Sequence, residues 1–337
     1  MKNKDMSFNT KKYIKPITLN SMILKSTMHP FHLVDPSPWP FLGAIAIFFF
    51  TFGLVVYIHF LGMGSGYYLI RNGLIFILSV AWLWWRDVIR ESTFEGNHTS
   101  YVAGGLRLGM CLFIISEIMV FFSFFWAFFH SSLNPTVDIG CVWPPKGITT
   151  MDPGEIPLLN TFILVTSGAW ITKAQFGMLN NNRSDFIKGV FFTLVLAVFF
   201  TILQGYEYLN ASFNISDGIF GSTFYMATGL HGSHVIVGTV FIFICLQRDL
   251  SSHFSSRKHL GFEFACWYWH FVDVVWIFLY IFIYYWGSAV YIDEMIMINF
   301  YEDYFAVYKD FPAGHVANYT TVSPLNQCNF IVRFIYG

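Results

Sequence analysis

The sequence predicts an all-α integral membrane protein with seven transmembrane helices, and three observations carry that reading. Only 12% of the 337 residues are charged against 55% hydrophobic, about half the usual charged share of a soluble domain. Mean hydropathy is +0.54. Seven apolar windows then follow one another, each close to the roughly 17–25 residues that cross a hydrocarbon core as a helix with every backbone group paired internally. A formal charge of −1 leaves no basic excess for nucleic acid. The five cysteines, Cys111, Cys141, Cys245, Cys266 and Cys328, are odd in number and form no CxxC, which argues against a disulfide framework or a zinc knuckle and reads as buried apolar filling.

Span one is Trp39–Leu61, inside a stretch from Pro36 to Ile70 without Asp, Glu, Lys or Arg. Span two, Tyr67–Trp85, ends on two indoles before Arg86. Span three, Leu108–His130, carries one acid, Glu117. Span four is Ile156–Met178, and span five, Gly189–Gly205, is the shortest. Span six, Ser222–Leu246, lies in a second uncharged stretch, Gly218 to Gln247, and span seven is Phe262–Gly287. Residues 1–28 are rich in Lys, Asn, Ser and Thr and lack the apolar core of a secretory signal; they read as a retained arm on the inner surface, the alternative being a cleaved transit peptide. Residues 289–337 mix acids with Tyr and Phe, a composition suited to a peripheral extension packed on a partner.

Orientation follows from the 19 basic residues, because cytoplasm-like compartments retain the Lys/Arg-rich loops. The N-terminal arm holds six of them, and the 2–3, 4–5 and 6–7 connections with their helix ends hold nine. The opposite side has only Arg71, Lys146, Lys309 and Arg333. This places the N-terminus inside and, after seven spans, the C-terminus outside.

Glu117 stands near the middle of span three, where a charged acid costs about 2.5–3.5 kcal/mol on insertion scales. It reads either as a proton-relay carboxyl or as a neutral acid bonded between helices. His231 and His234 share a face of span six at i, i+3, and His270 and Asp273 repeat that spacing in span seven. A bundle metal site wants Glu-x-x-His on two helices, an order absent from these spans, so these four read as interhelical polar residues and no metal is expected. Trp84-Trp85-Arg86 through Arg90, followed by His98, suits an anionic lipid phosphate at headgroup depth, and Arg248 with His253 offers a second cluster. The blander account of the first cluster is snorkelling anchors with helical ion pairs such as Arg86 with Glu91. Gly62-x-Gly64-x-Gly66 follows no strand and is no phosphate loop.

At this point longer strings resemble a known family. They are Pro36-Ser37-Pro38-Trp39-Pro40, Trp84 to Phe94, Leu112 to Leu133, Trp143-Pro144-Pro145, Ile156 to Thr161, Ile215 to Gly218, Thr228 to His234, and Gly261 to Gly287 with Trp267-Tyr268-Trp269-His270-Phe271-Val272-Asp273. Together they are similar to subunit III of mitochondrially encoded cytochrome c oxidase, over about Met28 to Ser288. The resemblance implies two helices and five helices grouped around a lipid-filled cleft, and a subunit without haem or copper of its own. It also implies partnership with the catalytic subunit I and the copper-binding subunit II in the mitochondrial inner membrane, N-terminus in the matrix and C-terminus in the intermembrane space. By position Glu117 corresponds to the family's carbodiimide-reactive carboxyl. Trp85, Arg90, His98, Arg248 and His253 correspond to positions associated with bound phospholipid, of cardiolipin or phosphatidylglycerol type. Ser251 stands where a basic residue is often found, which weakens the second lipid cluster. The terminal extensions are expected to meet accessory subunits. The competing reading from another class is an autonomous membrane metalloenzyme or proton-coupled transporter built on Glu117 and the intramembrane histidines.

Overall fold

A computed structural model describes residues 29–59 and 64–288. The expectations for residues 1–28 and 289–337 therefore lie outside the described residues. Seven long helices make up the rest: α1 Trp39–His59, α2 Gly64–Thr93, α3 Ser100–Leu133, α4 Ile156–Leu179, α5 Arg183–Asn210, α6 Gly218–Leu250 and α7 Leu260–Leu279, which continues as a π-helix over Tyr280–Trp286. Among the described residues there is no strand, only an isolated bridge between Ser255 and Lys258. Six of the seven are long and apolar enough to cross a membrane. The exception is α4, whose 24 residues include Asn160, Thr161, Thr166, Ser167, Thr172, Lys173 and Gln175. Its polarity has a structural counterpart, because Asn160 and Ser167 are fully buried and bond to neighbouring helices. Span five proves longer than its apolar window: the side chain of Asn182 accepts from the Asp185 amide and starts at Arg183 a helix, α5, of 28 residues.

The chain divides inside α3, at Gly109/Met110, into two compact units. The first holds α1 and α2, the second the remainder of α3 with α4–α7, which is the two-plus-five grouping implied by the resemblance. In the first unit α1 and α2 form a hairpin packed backbone to backbone. A Cβ on Gly73 would lie 2.7 Å from the Phe50 amide nitrogen, one on Gly53 2.8 Å from that of Ile70, and one on Gly66 2.8 Å from the Tyr57 Cα. Small residues at such contacts are what holds helices together where lipid removes the hydrophobic drive between them. Trp39 Nε1 donates to Asp87 Oδ2 at 2.7 Å and ties the start of α1 to the end of α2.

In the second unit α7 is the central helix. More than half of its apolar window is buried, 56%, against 6% for α3. Trp269 and Trp276 are its fully buried anchors. Each indole reaches α4 with its N–H, Trp269 to Ser167 Oγ at 2.9 Å and Trp276 to Thr161 Oγ1 at 3.0 Å. The ring of Trp269 lies against Gly238 of α6, where a Cβ would come within 3.0 Å of it. The α4–α5 hairpin is equally tight, since a Cβ on Gly189 would lie 2.7 Å from the Trp170 carbonyl oxygen. Outward, Phe48, Trp82, Leu112, Phe162 and Phe199 are exposed, a surface suited to lipid and not to water.

Candidate functional site: an acid and a histidine between α3 and α6

Glu117 projects from α3 toward α6, where its Oε2 lies 2.7 Å from Nε2 of His234. The carboxyl side chain is 22% exposed and the imidazole 11%. The other ring nitrogen, Nδ1, lies 2.8 Å from the Leu230 carbonyl oxygen one turn back on α6. A carbonyl only accepts, so Nδ1 carries a hydrogen. Nε2 and Oε2 then share a single proton: either a carboxylic acid donates to a neutral imidazole, or an imidazolium donates to a carboxylate. The pair has no net charge in either state, which is how an acid is tolerated at membrane depth. Three aromatic rings enclose the imidazole. Phe121 meets it edge-on at 5.2 Å, Tyr268 stacks on it at 6.1 Å and Phe271 lies at 6.2 Å.

The remaining interhelical residues go to separate partners. His231 is fully buried and its Nε2 donates to the Val272 carbonyl of α7 at 3.2 Å. His270 Nε2 faces Thr172 Oγ1 of α4 at 3.3 Å. Asp273 is buried, with Oδ2 4.0 Å from His270 Nδ1, and so close to Gly168 that a Cβ there would lie 2.6 Å from Oδ2. The two i, i+3 pairs thus do not assemble into one four-residue cluster.

Glu207 escaped the sequence reading. It is 4% exposed near the end of α5, with Tyr284 beside it and neither carboxyl oxygen in a well-formed hydrogen bond. Around it Asn160 Nδ2 donates to Gln204 Oε1 at 3.4 Å, and Gln204 Nε2 to the Tyr284 hydroxyl at 3.2 Å. The available signal was that Glu207 is the only charge between Gly189 and Ala211.

The headgroup clusters sit at helix ends. Trp85 and Arg90 are exposed on the last turns of α2, and His98 is half-buried in the link to α3. Arg86 pairs with Asp87 at 2.9 Å and not with Glu91; an i, i+5 partner lies about 140° round the helix. In the second unit the Arg248 guanidinium lies 4.4 Å over the Phe254 ring. It also fills the space above Gly261, where a Cβ would meet Nη1 at 2.6 Å. Burial first, and the Arg248 charge second, hold His253 below the ordinary histidine value. The neighbouring Arg183 is committed to Asp249, with Nε 3.1 Å from Oδ2 and Nη2 2.9 Å from the backbone oxygen.

The family profile described as cytochrome c oxidase subunit III matches residues 29–288. The chain is 59% identical over 261 residues to cytochrome c oxidase subunit 3 of Prototheca wickerhamii, covering 77% of this chain and 99% of that protein. Against the Chondrus crispus protein of the same name identity is 54% over 274 residues, 81% of this chain and 100% of the relative. Against the Equus caballus one it is 53% over 260 residues, 77% and 98%. The chain therefore belongs to the cytochrome c oxidase subunit III family and is a subunit of that enzyme, respiratory complex IV, and not an autonomous membrane enzyme or transporter.

Proposed function

We propose that this chain is a lipid-binding support subunit without a redox centre of its own. It partners the catalytic subunit I and the copper-binding subunit II, whose haem and copper pass electrons from cytochrome c to oxygen. It spans the mitochondrial inner membrane with its N-terminus in the matrix and its C-terminus in the intermembrane space, as the distribution of Lys and Arg favours. Its two terminal extensions meet accessory subunits. Cardiolipin or phosphatidylglycerol occupies the inner headgroup clusters, at Trp85, Arg90 and His98 and at Arg248 and His253. His231, His270 and Asp273 hold helices together.

One observation supports a role in proton handling more than any other: Glu117 and His234 meet at 2.7 Å with one proton between them. Such a pair relocates a proton by a short hop and stays neutral in the membrane. Glu117→Gln keeps the hydrogen-bonding shape and removes the titrating group. The expected outcome is a fully assembled oxidase that still reduces oxygen, with altered proton translocation or a shorter lifetime under turnover. Loss of all oxygen reduction with normal assembly would show that the carboxyl has a different role.

A further inference from the structure

Glu207 is buried one turn before Asn210, the last residue of α5, and the hydrogens around it can be followed one by one. Among the described residues no Lys, Arg or His forms an ion pair with its carboxyl. The titratable groups that face it are three phenols: Tyr208 on its own helix, Tyr225 on α6 and Tyr284 on the π-helix. Two of them give their hydrogens elsewhere. Tyr225 donates to the Phe213 carbonyl at 2.8 Å. Thr228 gives its own hydrogen to the Phe224 carbonyl at 2.7 Å, so in its 2.6 Å contact with Tyr208 it accepts the phenol's.

Tyr284 remains. Its oxygen accepts from Gln204 Nε2 at 3.2 Å, and Gln204 Oε1 accepts from Asn160 Nδ2 of α4 at 3.4 Å. Among the described residues this leaves the Tyr284 hydroxyl hydrogen as the side-chain donor able to turn toward Glu207. Reversing both amides would direct that hydrogen to Gln204 and leave Glu207 with none. Three buried oxygens, Glu207 Oε1, Glu207 Oε2 and Asn160 Oδ1, make no well-formed hydrogen bond among the described residues. All three are acceptors, so the site is short of hydrogens.

We propose that Glu207 is a proton-binding site, a neutral carboxylic acid with one oxygen accepting from Tyr284 and the other donating. A carboxylate there would be a buried charge with at most one donor and no cation, the arrangement a protein avoids by keeping the proton. The protonated group needs one donor and supplies one, to Asn160 Oδ1 directly or through a bridging water. Its surroundings are aromatic. Phe224 meets Tyr284 edge-on at 5.3 Å, Trp276 lies 5.7 Å from it, and Phe213 closes on Phe224 at 5.2 Å. The π-helix turns both Ile283 and Tyr284 inward, and such segments recur at functional sites. Three residues, about 4.5 Å along the axis, separate the acid from the exposed Asn210, so the proton has a short way to the surface at that end of α5. The two acids differ in kind: Glu117 shares a proton with a base, whereas Glu207 has no base beside it and keeps its own. Neither reading rests on the other.

The test uses the intact oxidase. In its infrared spectrum a neutral carboxyl gives a C=O stretching band that a carboxylate lacks, and deuterium oxide shifts that band. Glu207→Gln is expected to remove one such band, and Glu117→Gln to leave that band in place. Loss of carboxylate bands in Glu207→Gln, with the neutral-acid region unchanged, would overturn the proposal. A second arm needs no variant to assemble. A structure of the wild-type complex is expected to show only neutral groups around the Glu207 carboxyl, and a metal ion or a Lys or Arg nitrogen of any subunit within about 4 Å of it would overturn the proposal as well.

Discussion

His253 shows at the scale of one residue how the proposed headgroup cluster after α6 would respond to a bound lipid. Burial and Arg248 depress its proton affinity. A histidine lowered from its unfolded value of about 6.5 contributes full stability above that value and loses it as pH falls toward the folded one. An anionic headgroup phosphate bound near Arg248 and His253 would offset the Arg248 charge and favour the imidazolium, which narrows the loss. Lipid-stripped complex is therefore expected to lose heat resistance more than cardiolipin-replete complex as pH falls below the unfolded histidine value of about 6.5, and His253→Gln to erase the difference. Thermal scans in detergent check it, and identical pH profiles with and without cardiolipin would count against a headgroup there. Glu117 was legible in the sequence because an acid amid Ile, Met and Phe is conspicuous. Its partner was not, since the sequence places His234 on a face with His231 and says nothing of which helix that face meets. Glu207 was passed over for a related reason: a residue close to a span end reads as interfacial until packing buries it.

Among the elements, the α1–α2 hairpin depends on backbone approach. At Gly73 the nearest atoms to an added Cβ belong to the Phe50 main chain, at 2.7 and 2.8 Å, and a main chain cannot rotate aside as a side chain does. Gly73→Ala is expected to destabilise the hairpin by about 1–3 kcal/mol, read as a lower temperature at which the subunit leaves the detergent-solubilised complex; an unchanged temperature would show that the helices separate easily. The helices themselves were legible from apolar run length, because a bilayer imposes a common length on every span. Their exact ends were not. Caps such as Asn182 and polar extensions such as Arg86 to Thr93 lie beyond the hydrocarbon window that marks a span. The α4 helix exposes a second limit of hydropathy. Its Asn, Ser and Thr side chains serve α5 and α7, so a helix that packs through polar contacts loses the composition that marks a span.

For the molecule as a whole, a shortage of charge marks membrane residence, and the few charges that remain organise the chain. Basic residues gather in the N-terminal arm and in alternate helix connections, the two proposed headgroup clusters stand at helix ends, and Glu117 meets His234 between α3 and α6. The aromatic strings that carry the family resemblance, Phe121 to Phe129 and Trp267 to Trp276, also supply the packed core of the second unit and the rings around His234. In the proposed function Glu117 and His234 act as one proton-holding unit in support of turnover. A double-mutant cycle in the assembled oxidase tests it most directly, with proton translocation and turnover lifetime measured for Glu117→Gln, His234→Gln and both together. Each single substitution is expected to have nearly the effect of the double. Additive effects, with the double substitution equal to the sum of independent losses, would contradict it.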